Sequence, residues 1–107
     1  MTPLMEAVTG LELTSYIAGQ SVATGDKLEV NYPYTGELTG TVSQIGPAEL
    51  EAAIQAGLSA QAPLSRYQRS EILHNARRML NERSDEFANL IRSESGLCVR
   101  DTRYEVD

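Results

Sequence analysis

The stretch Leu38-Thr39-Gly40-Thr41-Val42-Ser43-Gln44-Ile45-Gly46-Pro47-Ala48-Glu49-Leu50-Glu51-Ala52-Ala53-Ile54 changes its hydrophobic period halfway along, from that of a strand to that of a helix. Leu38, Gly40 and Val42 alternate with Thr39, Thr41 and Ser43, the period of two that marks a half-buried strand. Gly46-Pro47 ends the strand. Pro47 also suits a first helical turn, where its missing N–H leaves no bond unmade, and Glu49 and Glu51 sit where the helix dipole favours negative charge. From there Leu50, Ala53, Ile54, Gly57 and Leu58 follow i, i+3, i+4, i+7, i+8 spacing, so one stripe of this helix must be buried against something else. Gly57 weakens the helix and is expected to allow close packing. A strand here feeds directly into a helix.

Upstream, the pattern is strands and turns. Ser15–Ala18 and Val22 flank Gly19-Gln20, which predicts a short hairpin arm. Leu28 to Val30 is extended and stops at Asn31-Tyr32-Pro33-Tyr34-Thr35-Gly36, where Pro33 fixes φ and Gly36 permits a left-handed turn. Downstream, a loop around Ala62-Pro63-Leu64-Ser65 leads into a helix over about Tyr67 to Arg83, with Ile72, Leu73, Ala76, Met79 and Leu80 on one face. Ser84 is the expected N-cap of a third helix, with Asp85 and Glu86 in its first turn and Gly96 as its stop. The second and third helices are expected to pair antiparallel. Asp101 to Asp107 begins another helical pattern and then stops. Two turns without continuation are expected to fray, since isolated helices below about 12–15 residues are marginal in water, and the chain therefore reads as the front portion of something larger.

Composition narrows the function classes. The 107 residues carry a net charge of −6, which disfavours nucleic acid and anionic membranes as partners. The imbalance lies wholly in residues 1–65, where Lys27 stands against seven acids; residues 66–107 are neutral. A single cysteine, Cys98, excludes an internal disulfide and a Cys-rich metal framework and fits a reducing compartment, with the cytoplasm as the expected location. No apolar run is long enough to span a bilayer.

Motifs for chemistry are nearly absent. The chain has no glycine-rich phosphate loop after a strand, no His/Cys/Asp cluster at metal spacing and no Gly-x-Ser-x-Gly. Cys98 is the one strong nucleophile by type, but it reads as a small half-buried side chain in the turn after Gly96. His74 reads as a solvated residue beside Arg77 and Arg78. The arginines of residues 66–103 lie in a segment, residues 66–107, that holds eight acids, so they read as a solvated helix face rather than an anion site.

Taken in order, five pieces resemble the N-terminal part of the NAD(P)-dependent aldehyde dehydrogenases. They are Tyr16-Ile17-Ala18-Gly19; Asn31 to Leu38 with Gly40-Thr41-Val42; Glu49 to Ile54; Arg69 to Leu73; and Leu90-Ile91-Arg92-Ser93-Glu94-Ser95-Gly96. The resemblance covers residues 14–107. Within the superfamily, Glu94 to Val106 is most similar to the phosphonoacetaldehyde dehydrogenases, which oxidise an anionic aldehyde to its acid.

The resemblance implies an α/β chain with an extension over residues 1–14, a strand-and-turn arm over 15–45 and, over 46–107, three to four helices of a cofactor-binding domain whose Rossmann-like sheet is mostly missing here. It implies NAD or NADP and a small aldehyde substrate for the parent enzyme, which is expected to be a homo-oligomer. No catalytic and no cofactor-binding residue falls in this chain, and Cys98 does not match the family's nucleophile motif, so the chain alone is expected to be inactive. Many members hold a structural monovalent cation through two backbone carbonyls before the Pro-x-Thr-Gly turn and a carboxylate ahead of a helix-ending Gly. Those positions fall on Val30, Asn31 and Glu94, oxygen donors of the kind a hard cation takes. This chain has Asn31-Tyr32-Pro33 where many relatives have Asn directly before Pro, and Glu where many have Asp. The competing expectations are a truncated non-catalytic relative and a standalone helical interaction module, docking through Leu50, Ile54, Ile72, Leu80, Phe87 and Ile91 on a partner or on itself.

Overall fold

The computed structural model describes residues 6–60 and 63–107. Residues 1–5 of the expected extension, and Ala62 of the expected loop, lie outside the described residues. The chain is α/β, in the order β1 (Leu11–Leu13), β2 (Ser15–Ile17), β3 (Gln20–Val22), β4 (Lys27–Asn31), β5 (Leu38–Ser43), α1 (Pro47–Ser59), α2 (Arg66–Glu82), α3 (Ser84–Ser95) and α4 (Val99–Val106).

β2 and β3 form the predicted hairpin, with Ser15 opposite Val22. Its two-residue turn puts Ala18 at φ 51° and Gly19 at φ 76°, the paired positive values that match the twist of the flanking strands. β1, which falls inside the stretch 1–14, pairs parallel with β5, and β4 pairs with β5 antiparallel, giving the order β1-β5-β4. Gly40 makes the parallel contact possible: a Cβ there would lie 2.7 Å from the Leu11 carbonyl oxygen and 2.8 Å from Leu11 Cβ.

The register puts Leu11, Gly40 and Val30 in one row and Leu13, Val42 and Leu28 in the next, so a single face of the sheet carries the apolar side chains. That face is open, with Leu13 and Leu28 each 53% exposed. The covered face is the polar one. Thr39 is 2% exposed and donates to the Ser93 carbonyl of α3 at 2.9 Å, and Ser43 is buried beneath Ser15 and Thr24.

α1 begins at Pro47 as predicted, and Glu49 Oε2 accepts from the Gly46 N–H at 3.0 Å. α2 is capped at both ends of a box: Ser65 Oγ accepts from Gln68 N, and Gln68 Oε1 accepts from Ser65 N. Two expectations are corrected downstream. Ser84 is not an N-cap; Arg83 (φ −114°) interrupts the chain between α2 and α3, and Ser84 is already helical. α2 and α3 are not an antiparallel pair either, because a single interrupting residue cannot reverse the chain, and they meet only near their junction, around Ala76, Met79, Leu80, Arg83 and Phe87. The packed pair is α3 with α4. Gly96 in the left-handed region (φ 75°) turns the chain back, and Arg103 on α4 reaches Asp85 on α3 at 3.3 Å. α4 starts at Val99 rather than Asp101, and its eight residues are held by tertiary packing: Thr102 is fully buried and Val106 is 7% exposed.

The apolar stripes of α1 and α2 were expected to be buried, and in this chain they are not. Every residue of α2 except Leu80 is exposed, and no residue of α1 is buried. Leu50, Ile54, Ile72 and Leu73 lie open by half or more, within a few percent, and Ala88 and Val106 are the buried hydrophobics among the described residues. Gly57 permits no close approach: a Cβ there would meet nothing within 4 Å. The molecule is 16 Å thick, little more than one helix with its side chains at about 10–12 Å. Its radius of gyration is 17.2 Å where about 13 Å suits a packed domain of this length. Its surface of 8496 Å² exceeds the roughly 5,900 Å² of a folded monomer of this mass by about 2,600 Å². Secondary structure is formed, and among the described residues no second layer covers these faces.

Candidate functional site

The richest constellation of side chains lies where the β4–β5 connection meets the end of α3. β4 and β5 keep register from Lys27–Ser43 to Val30–Gly40, and the ladder then shifts between Val30 and Asn31, so that Asn31 faces Leu38. A bulge of this kind takes backbone groups out of the ladder. Immediately after it, Tyr32 N donates to Glu37 O at 2.8 Å and Gly36 N to Tyr32 O at 2.7 Å, closing the turn around Pro33, with Gly36 at φ 77° as predicted.

From the other side, α3 presents its last turn. Arg92 Nη1 donates to Tyr32 Oη at 3.2 Å, its guanidinium carbon sits 5.6 Å from the Tyr32 ring centroid, and Nε and Nη2 donate to Asn89 Oδ1 at 3.2 and 2.9 Å. Asn89 Nδ2 in turn donates to Glu6 O, and Ser93 Oγ accepts from Val8 N, so the segment before β1 is strapped across the same helix. Gly96 closes the helix against Pro33: a Cβ on Gly96 would stand 3.4 Å from Pro33 Cβ and Cγ.

Of the three positions implied as cation donors, Val30 and Glu94 line one hollow together with Leu11, Leu13 and Gly40, while Asn31 is exposed and does not line it. Glu94 is exposed, and its carboxylate makes no hydrogen bond or ion pair with a described residue. It sits in the final turn of α3, where the carbonyl ends of the helix make a second negative charge unfavourable and a positive one favourable. Carbonyl and carboxylate oxygens are of the type a hard cation takes, but the structure brings only Val30 and Glu94 of the three positions to one hollow. The residues that tie the two elements together, Tyr32, Asn89 and Arg92, carry no motif in the sequence; the one signal for them is an arginine in the last turn of a helix that ends at glycine.

The remaining candidates do not join this cluster. His74 is exposed on α2, as expected. Cys98 is exposed at the N-cap of α4, not half-buried, because Gly96 reverses the chain before it and leaves it at the rim. The nearby arginines are occupied elsewhere, Arg100 with Asp101 at 3.4 Å and Arg103 with Asp85. Among the described residues no group of three His, Cys, Asp or Glu side chains is placed to hold a metal ion, and no helix is long and apolar enough to cross a membrane.

The start of α1 does not suit a dinucleotide phosphate. The strand-to-helix junction from β5 into α1 is where a pyrophosphate would meet helix N–H groups, but Pro47 contributes no N–H there and Glu49 already occupies the N-terminus with a carboxylate. An anionic phosphate would be repelled at that position.

Residues 20–107 match the family model described as the aldehyde dehydrogenase family. A curated relative from Sinorhizobium fredii, described as "Putative aldehyde-dehydrogenase-like protein y4uC", is 34% identical over 74% of this chain and 16% of its own length. The 3-sulfolactaldehyde dehydrogenase of Priestia aryabhattai is 30% identical over 86% of this chain and 20% of its own. Among solved structures, a protein described as "putative methylmalonate-semialdehyde dehydrogenase" from Sinorhizobium meliloti 1021, complexed with NAD, superposes with a TM-score of 0.79 at 28% identity, over 91% of this chain and 21% of that one. The chain thus spans about a fifth or less of the proteins it matches.

Proposed function

Since the chain belongs to the aldehyde dehydrogenase family, we propose that it serves as the N-terminal, non-catalytic layer of an enzyme that oxidises an aldehyde to its acid with NAD or NADP, and that it does not turn over on its own. The observation that carries this reading is the bare apolar surface. The stripes of α1 and α2 and the Leu13–Leu28 face of the sheet are patterned for burial, yet about 2,600 Å² more surface is exposed than a folded chain of this mass leaves. In this reading residues 15–45 are an arm, and residues 46–107 are the helices that lie on a cofactor-binding sheet contributed by the rest of the parent. No step of the reaction is assigned to residues of this chain, because the resemblance implies no catalytic or cofactor-binding residue in it.

The substrate we propose is an aldehyde bearing an anionic group, phosphonoacetaldehyde being the one the Glu94 to Val106 stretch resembles. Two relatives support the class: one is named for a sulfonated aldehyde and one for a carboxylated one. Val30, Asn31 and Glu94 are proposed to hold a structural monovalent cation, which would tie β4 to α3 and take no part in chemistry. The cytoplasm and a homo-oligomeric parent complete the proposal.

The test is absorbance at 340 nm with the purified chain, NAD or NADP, and phosphonoacetaldehyde. No nicotinamide reduction is expected at any chain concentration, and turnover abolished by Cys98→Ser would overturn the reading. The exposed helix stripes also favour a second reading, an interaction module that docks through them. A monodisperse monomer with a single cooperative unfolding transition, measured by sedimentation and calorimetry, would support an autonomous module and count against a layer that lacks its partner.

A further inference from the structure

Residues 6–13 are tied to α3 and to β5 by separate contacts. Glu6 and Val8 are two residues apart, and Asn89 and Ser93 stand one turn apart on α3. Two residues of extended chain span about 6.6–6.8 Å and four residues of helix rise about 6 Å, so the two spacings match. Asn89 Nδ2 accordingly donates to Glu6 O at 2.9 Å, and Val8 N donates to Ser93 Oγ at 2.9 Å. Gly10 N then donates to Leu38 O, and Leu11–Leu13 pair along β5. Seated in this way, the segment closes a strand edge that would otherwise offer unpaired backbone groups. The Asn89 amide is engaged at both ends. Its Nδ2 holds Glu6 O, its Oδ1 accepts from Arg92 Nε and Nη2, and Arg92 Nη1 donates to Tyr32 Oη at 3.2 Å. Turned over, the amide would set a donor against the guanidinium and an acceptor against a carbonyl, so one orientation serves both partners or neither.

We infer that residues 6–13 are a latch, and that Asn89 is the positioning residue that couples its seating, through Arg92 and Tyr32, to the order of the β4–β5 turn. With the latch down, Glu6 O fixes the Asn89 amide, the amide fixes the guanidinium, and the guanidinium holds the Tyr32 hydroxyl at the start of the turn. With the latch up, the amide loses the contact that sets its orientation, and the hold on the turn weakens. Coupling of this kind is reciprocal, so a change that loosens the turn also loosens the latch. The latch is the weaker unit, because its ladder with β5 spans three residues whereas β4 and β5 pair over five. Losing one hydrogen bond changes an opening equilibrium by about 2–10-fold.

The experiment is amide hydrogen exchange of the full chain, read at three sites. Val8 reports the latch; Gly36, which donates to Tyr32 O, reports the turn; Thr102, which donates to Cys98 O at the start of α4, reports the rest. Gly10→Ala perturbs the latch alone: a Cβ there meets nothing within 4 Å, but φ 70° disfavours alanine by about 5–30-fold. In Gly10→Ala, Val8 is expected to exchange at least about fivefold faster and Gly36 at least about twofold faster, with Thr102 unchanged. Tyr32→Phe, which keeps the ring but not the hydroxyl, should in return speed Val8 by at least about twofold. In an Asn89→Ala background, Gly10→Ala should still speed Val8 and no longer speed Gly36. A Gly36 rate unmoved by Gly10→Ala, while Val8 speeds up, would overturn the coupling. A Gly36 response that survives Asn89→Ala would overturn the role of Asn89. An equal rise at Thr102, or a Val8 amide unprotected before any substitution, would show that the latch is no separate closed unit and overturn the inference as a whole.

Discussion

Gly40→Ala is the sharpest perturbation of the fold. The added Cβ would sit 2.7 Å from the Leu11 carbonyl oxygen and 2.8 Å from Leu11 Cβ. These are backbone and near-backbone atoms of a strand whose ladder with β5 spans three residues, so neither can swing aside. Overpacking of this kind costs about 1–3 kcal/mol. Alanine is favoured over glycine within a strand by about 0.5–1 kcal/mol, which offsets part of it. The net expectation is a loss of about 0.5–2 kcal/mol, borne first by β1 because β4 and β5 pair without it. Urea unfolding gives the total from the midpoint at constant slope. Amide exchange at Glu12 and Leu13 locates it, since about 1.4 kcal/mol is a tenfold faster opening. A midpoint that is unchanged or raised, with protection at Leu13 retained, would refute the reasoning that Gly40 is required by the parallel contact.

The same substitution on α1 should have the opposite sign. Gly57→Ala meets nothing within 4 Å and removes a helix-interior glycine, so the chain should gain about 0.5–1 kcal/mol in urea unfolding. Thr39→Val keeps the shape of a buried side chain but leaves the Ser93 carbonyl without its donor, and should cost about 1–3 kcal/mol by the same measurement. Hydrogen bonds from Lys27 and Arg83 hold the Glu12 and Glu86 carboxyls below the usual carboxylate value. Their folded values are depressed, so their contribution is present above the unfolded value of about 4.3 and is lost as the pH falls through the folded one. Both pairs are exposed, so the effect should be small and weakened by salt, and Glu12→Gln with Glu86→Gln should flatten the acid limb of the stability profile.

What was legible in the sequence was local. The Gly19 turn, the stop at Pro33 and Gly36, the helix start at Pro47 and the helix stop at Gly96 each follow from what one residue's backbone can do, and all four stand in the structure. The parallel pairing of β1 was not legible, because Leu-Glu-Leu carries little pattern and its partner lies 29 residues away. The break at Arg83 was hidden because Ser84 is the better cap by type, yet a helix ends where its hydrogen bonds do. The α3–α4 pairing follows from Gly96, which was read as a stop and not as a hairpin. At the candidate site the donor positions came from resemblance, whereas the Arg92, Tyr32 and Asn89 cluster depends on two segments 60 residues apart meeting in space. The stripes of α1 and α2 are apolar in period but exposed in the structure; sequence period marks an apolar face and is silent on what covers it.

Native-state hydrogen exchange tests most directly whether this chain is one layer of a larger enzyme. Protection in a folded chain follows buried contacts, and these lie in β5, α3 and α4, around Thr39, Ala88, Ser93 and Thr102. The account predicts strong protection there and little along Arg66–Glu82, where every side chain but Leu80 is exposed. Protection of α2 equal to that of α3 in the monomeric chain would contradict it.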